Sequence, residues 1–232
     1  MMPWTIKRQF SCYPVSEKKA ARGGPVWTLR SIVIGLLLLF SLVGIPRVNA
    51  GELHPFNAAW IPSAGESAQP TDAWSEFCER SPGDCAIDPS EPATIKLDER
   101  AWALIVAINQ HVNAAISPQE DNAHWGVIDR WDYPDDGYGD CEDYQLLKRR
   151  LLVEAGLPRR ALRMVVVLDE LDAGHAVMAV RTDRGDFILD NKRDTVLPWH
   201  QTGYVYIKSE GDRTHAWVWL GNQAVVTSTV SR

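Results

Sequence analysis

Little in the 232-residue sequence declares a function at sight. There is no internal repeat, no heptad run, no GxGxxG and no P-loop, so neither a solenoid nor a common nucleotide fold is indicated. Positive charge is not in excess: 24 Lys and Arg stand against 30 Asp and Glu, a net charge of −6. No apolar run is long enough for a confident membrane span. The uncharged stretch Ser31–Ile45 is fifteen residues, short of the roughly 20 that a bilayer requires. At 45% apolar and 23% charged, the composition excludes a wholly disordered or collagen-like chain.

The charge is unevenly spread. Residues 1–50 carry seven basic side chains and one acid, Glu17, which leaves 17 basic and 29 acidic residues in the remaining 182, a net −12. So acidic a body repels a phosphate backbone, and nucleic acid is not an expected partner. The basic leader, the apolar run and the small residues of Val48-Asn49-Ala50 together form an export signal cut near Ala50. An uncleaved anchor is the alternative. The long basic stretch ahead of the apolar run also fits a translation start later than Met1. The expected location is therefore the periplasm, an oxidising compartment.

The chain has four cysteines. Cys12 leaves with the signal. Cys78 and Cys85 lie in a Pro- and Gly-containing loop that can close a small disulfide ring. Cys141 is the odd one, and a thiol kept in an exported protein despite the risk of wrong pairing suggests that its sulfur is used.

Length suits one domain after the signal. Residues 51–93 hold six prolines and are expected to wrap it as extended coil, with Trp60, Trp74 and Phe77 as anchors. The domain proper is expected over 94–232. Trp102, Ile105, Ile108, Val112 and Ile116 recur at helical spacing and predict a helix from Leu97 to Ile116, closed by Pro118. A second helix begins near Cys141, with Leu147, Leu151 and Ala155 as its apolar stripe. Strands are expected at Leu162–Leu168, Gly174–Val180, Asp186–Asp190, Gly203–Lys208, His215–Leu220 and Ala224–Val230. Helices followed by consecutive strands argue for an α+β domain with helices packed on an antiparallel sheet.

The chemistry concentrates in Gly139-Asp140-Cys141-Glu142-Asp143-Tyr144. A cysteine in the first turn of a helix faces backbone N–H groups and the positive end of the dipole, which favour thiolate. Such a nucleophile needs a base and a group to orient the base. A four-residue loop over Arg181–Arg184 sets Val180 opposite Gly185 and hence His175 opposite Asp190, within hydrogen-bonding reach. Cys141, His175 and Asp190 are thus the candidate catalytic residues. Ten tryptophans also suggest a sugar-binding module with no catalysis, but Trp102, Trp217 and Trp219 fit core positions.

These residues resemble a family. GDCEDY opening a helix, Gly174-His175-Ala176 starting a strand and Leu189-Asp190-Asn191 ending the next are similar to the bacterial transglutaminase-like cysteine proteinases, including the LapG-type periplasmic proteases. Val112-Asn113 and Trp131 extend the likeness over about residues 95–210. The resemblance implies a papain-like, transglutaminase-like core with Cys141, His175 and Asp190 as its triad. It implies cleavage of a surface protein, typically a large adhesin, and control by an inner-membrane cyclic-di-GMP receptor. The same triad also serves acyl transfer or amide hydrolysis. Asp140, Glu142 and Asp143 would disfavour a thiolate by their charge unless a hard cation offsets them. The resemblance points to calcium held by these three.

Overall fold

A computed structural model describes residues 58–211 and 217–221. The expected signal segment 1–50 and the expected strand Ala224–Val230 lie outside the described residues. In chain order the elements are β1 (Ser63–Ala68), α1 (Asp72–Arg80), α2 (Pro82–Cys85), α3 (Glu99–Ala115), β2 (Ser117–Pro118), α4 (Asp121–His124), β3 (Tyr138–Gly139), α5 (Cys141–Glu154), β4 (Leu162–Leu168), β5 (Gly174–Thr182), β6 (Gly185–Asp190), β7 (Arg193–Pro198), β8 (Val205–Glu210) and β9 (Trp217–Leu220). Seven strands form one sheet in the order β1-β9-β8-β4-β5-β6-β7. Every pairing within it is antiparallel. The expected α+β class is observed.

Helix α3 begins where Asp98 accepts the Ala101 N–H and stops before Pro118, whose ring a continuing helix would not tolerate. Its Ile105 and Val112 are fully buried. The helices cover one face of the sheet. Ala101, Ile105 and Leu152 pack there with Met178, Val180, Phe187 and Leu189, while Trp74, Phe77 and Leu146 join Met164, Val166 and Trp217. The other face buries Val165, Val167, Val177, Ala179 and Ile188 with Ile61, Tyr204 and Tyr206. A sheet covered on both sides explains why β4 and β5 read as nearly continuous apolar runs. Among the described residues no helix is long and apolar enough to cross a membrane.

Four expectations change. The segment 51–93 is not all coil. Thr71 caps α1 by accepting the Trp74 N–H, and this helix plants Trp74 and Phe77 in the core. The third expected anchor, Trp60, stays 43% exposed and is held by an indole N–H bond to the Thr182 carbonyl. The apolar stripe of α5 is also different. Leu147 and Leu151 lie against α3, but Ala155 is exposed, and Gln145, Lys148 and Arg149 are buried beside Leu146 and Leu152. Strand β7, which has no regular apolar alternation, was not expected. Finally, the β5–β6 hairpin turns through Asp183 and Arg184, pairing Thr182 with Gly185 and Val180 with Phe187. Gly185 has φ +111°, and a Cβ there would sit 2.5 Å from the Ala59 carbonyl oxygen, so the turn and the close approach both require glycine.

Candidate active site

The hairpin shift moves β6 by two residues relative to the expected register. Side chains alternate with period two, so a two-residue shift leaves every one on its expected face. His175 and Asp190 therefore still share a side of the sheet, that of Val177 and Ile188. Asp190 lies one step beyond the last paired residues, Met178 and Leu189, and meets His175 diagonally. The His175 Nε2–Asp190 Oδ1 distance is 2.9 Å, with both residues buried.

Asp190 is held from several sides. The Tyr204 hydroxyl donates to Oδ2 at 2.6 Å and the Lys192 N–H to Oδ1 at 3.0 Å. From α3, Asn109 accepts the Asp190 N–H at 3.3 Å and Asn113 donates to its carbonyl at 3.0 Å. Burial acts to raise the Asp190 pKa. The His175 charge and the hydrogen bonds from His175, Tyr204 and Lys192 outweigh it and hold the carboxyl well below the usual range. A permanently ionised Asp190 accepts a proton-bearing Nε2, so the neutral ring leaves Nδ1 as its basic nitrogen. That Nδ1 is buried and makes no hydrogen bond.

The loops flanking this pair are tied to each other. Lys192 Nζ lies 2.7 Å from Asp169 Oδ2, and Arg193 pairs with Glu170. Asp169 also accepts the Leu171 and Ala173 N–H groups, shaping the loop that delivers His175. Tyr204, Asn109 and Asp169 were missed in the sequence. Asn109 alone left a signal, as an amide inside the buried stripe of α3 between Ile105 and Val112.

Cys141 is the first residue of α5 and is fully buried. Its Sγ accepts the Ala176 N–H at 3.4 Å, so the sulfur abuts β5 one residue from His175. The structure thus joins imidazole to carboxylate and brings the sulfur to the adjacent backbone, without a hydrogen bond between Sγ and the ring. Glu142 Oε2 lies 3.1 Å from Sγ. The sulfur is disulfide-bonded in this structure. The thiol expected from the sequence is therefore the reduced form of this position. The expected Cys78–Cys85 disulfide is present.

The N-terminus of α5 carries a concentration of acid. Asp143 accepts the Asp140 N–H at 3.3 Å and the Asp132 N–H at 2.8 Å. At Gly139 a Cβ would fall 2.8 Å from the Asp143 Cβ, so only glycine lets the entering chain pass this carboxylate. Asp140, Glu142 and Asp143 are joined by Asp121 and Asp129, which sequence reasoning did not include. Burial is the first cause raising the pKa of all five, bringing Asp121 to about 6 and Asp140 to about 7. Neighbouring carboxylates add to it. Oδ1 of Asp121 and Oδ1 of Asp140 are buried without a hydrogen-bond partner. Oxygen-only, mutually repelling and partly unsatisfied, this set suits a hard divalent cation.

Comparison with known proteins follows the same line. A family model described as bacterial transglutaminase-like cysteine proteinase matches residues 63–225, beginning inside the segment expected only to wrap the domain. No curated protein matches the chain. Among solved structures, Legionella pneumophila LapG is similar at 24% identity and TM-score 0.44, covering 52% of this chain and 69% of that one. EGTA-treated L. pneumophila LapG is similar at 25% identity and TM-score 0.42, covering 53% and 68%. The calcium-bound form is similar at 20% identity and TM-score 0.44, covering 68% and 86%.

Proposed function

Given that this chain belongs to the bacterial transglutaminase-like cysteine proteinase family, and so is a cysteine peptidase, we propose that Cys141, His175 and Asp190 form its catalytic triad. The observation that carries this reading is the buried His175 Nε2–Asp190 Oδ1 bond, which leaves Nδ1 over, beside a strand whose next N–H contacts the Cys141 sulfur. His175 Nδ1 takes the thiol proton as Sγ attacks the scissile carbonyl, and the same nitrogen returns it to the leaving amine. Water then resolves the thioester with His175 as base. Asp190 fixes the tautomer and supports the imidazolium. The developing oxyanion lies at the positive end of α5. Sulfur and ring, not bonded to each other here, close on each other in the substrate complex, as catalytic contacts commonly do.

The substrate proposed is a peptide bond in a periplasmic or surface protein of the adhesin type, with an inner-membrane cyclic-di-GMP receptor as regulator. Both are carried from the family likeness. The export segment 1–50 and a disulfide in the domain support the oxidising location. The attack itself needs Cys141 in its reduced form.

Calcium is proposed as the resident cation. Asp140, Glu142 and Asp143 would hold it, and its charge would offset the acids that otherwise oppose a thiolate at Cys141. The unsatisfied Asp140 oxygen and the all-oxygen donor set fit that ion.

The test compares proteins shed by cells carrying wild type or Cys141→Ala. A fragment released only by wild type is expected, and EGTA is expected to suppress it until calcium is restored. Cross-linked products in place of a fragment would assign acyl transfer instead. Identical shedding from both strains would remove catalysis by Cys141, as the binding-module alternative requires.

A further inference from the structure

The two carboxylate oxygens of Asp190 have different neighbours. Oδ1 accepts the His175 Nε2–H at 2.9 Å and the Lys192 N–H at 3.0 Å. Oδ2 accepts the Tyr204 hydroxyl at 2.6 Å, while Arg193 Nε stands off at 3.8 Å. Tyr204 reaches this place from outside the hairpin. In the connection between β7 and β8, Thr202 Oγ1 accepts the Tyr204 N–H at 3.2 Å. The ring is buried and packs with Val177 and Ile188. Its centroid lies 5.7 Å from that of His175, the two planes crossing at 82°.

A phenol can donate or accept, so the direction of its bond to Oδ2 matters. Two charges fix it. The Arg193 guanidinium faces the hydroxyl oxygen, with its carbon 5.1 Å from the ring centroid, and the carboxylate faces the hydroxyl proton. Burial and the Asp190 charge hold the Tyr204 pKa above its ordinary value, so the proton stays on the phenol. Without this donor, Oδ2 would be a buried anionic oxygen with only Arg193 to turn to. Closing the 3.8 Å gap would swing the carboxylate and draw Oδ1 away from the imidazole.

We propose that Tyr204 is a positioning residue of the triad, its hydroxyl occupying Oδ2 so that Oδ1 stays on His175 Nε2 and Nδ1 stays the basic nitrogen. This rests on the triad reading above. Tyr204 acts through Asp190 and takes no part in the bonds made and broken. The consequence has an unusual sign. In Asp190→Asn the hydroxyl demands the asparagine oxygen, which sets the amide against the ring and puts the ring proton on the wrong nitrogen. Removing the hydroxyl as well frees the asparagine to turn its oxygen to the Nε2–H and the Lys192 N–H, the native arrangement. Loss of the hydroxyl is therefore harmful alone and helpful in the Asp190→Asn background.

The experiment follows turnover of p-nitrophenyl acetate by the reduced protein as wild type, Tyr204→Phe, Asp190→Asn and the double variant. Cys141→Ala serves as the blank, and circular dichroism establishes each fold. Tyr204→Phe keeps the ring and loses one bond to a charged group, so kcat is expected to fall about 10- to 100-fold. The double variant is expected to turn over about tenfold faster than Asp190→Asn. Wild-type kcat in Tyr204→Phe overturns the proposal. So do two losses that multiply in the double variant, because a hydroxyl serving packing alone acts independently of Asp190. Either result leaves the triad standing. An Asp190→Asn protein with wild-type kcat, or a wild type no faster than the Cys141→Ala blank, removes the triad reading and this proposal with it.

Discussion

Changing Asp190 to asparagine is expected to lower kcat by about 10⁴-fold while the protein stays folded. The size follows from the tautomer. Asp190 Oδ1 accepts from His175 Nε2, and its oxygens also take the Lys192 N–H and the Tyr204 hydroxyl. Asparagine can keep its oxygen on the Tyr204 hydroxyl only by turning its amide toward the ring, at the cost of the Lys192 N–H bond. An amide N–H facing Nε2 demands an acceptor there, which moves the ring proton to Nδ1. The nitrogen that should take the thiol proton is then already occupied, and the step fails for lack of a base. The measurement is kcat on a peptide that wild type cleaves, with circular dichroism to establish the fold. A variant within about tenfold of wild type would show that Asp190 only braces the loop. Because its carboxyl is held well below the ordinary range, Asp190 stays ionised across the neutral and mildly acidic region. Neither limb of a pH–rate profile measured there is then expected to belong to it.

The pairing of His175 with Asp190 was legible although the register was not. A loop of four residues and the observed two-residue turn differ by an even shift, so face assignments survived while the partner of each residue changed. Alternation is a property of the strand itself, whereas register depends on Gly185 with its positive φ and on Ala59 packed against it. That contact comes from 126 positions away and leaves no mark in the hairpin's own pattern. Helix α3 was legible because its partner surfaces are apolar and on one side. Helix α5 was not, since it is enclosed all round, with α3 on one flank, the sheet on another and α1 with Trp131 on a third, so a single stripe has no meaning for it. The acids beside Cys141 were evident from the sequence, but their geometry was not. The trio at positions 140, 142 and 143 is evident on paper, but the carboxylates that join it in space, Asp121 and Asp129, are not. Asp121 opens the four-residue helix α4, too short for any periodicity to flag it.

Breaking the ion pairs of Glu210 is the change expected to cost most stability. Its carboxylate is buried between Arg149 Nη1 at 3.0 Å and Arg159 Nη2 at 2.8 Å and also accepts the Met164 N–H at 2.9 Å. Arg149 comes from α5 and stands over the Trp74 ring of α1 at 5.2 Å. Arg159 reaches on to the Asp84 carbonyl inside the Cys78–Cys85 ring. One carboxylate thereby fastens the helix bearing Cys141, strands β4 and β8 and the disulfide loop. Glu210→Gln leaves two guanidinium groups buried without their counter-charge, and such a loss costs about 3–5 kcal/mol. For a domain of this size that lowers Tm by roughly 10 °C. Replacing Glu210, Arg149 and Arg159 together with methionine removes the desolvated charges along with the attraction, so most of the loss is expected to be recovered. The same network sets an acid limit. Burial acts to raise the Glu210 pKa, but the two arginines and the Met164 N–H prevail and hold it below the ordinary 4.5. A depressed carboxyl stabilises the fold fully above its unfolded pKa and loses that contribution as pH falls through the folded value. Wild type is therefore expected to lose stability below about pH 4.5 more steeply than Glu210→Gln. Urea midpoints of the two proteins that fall in parallel from pH 6 to pH 3 would show that the carboxylate does not hold these elements together.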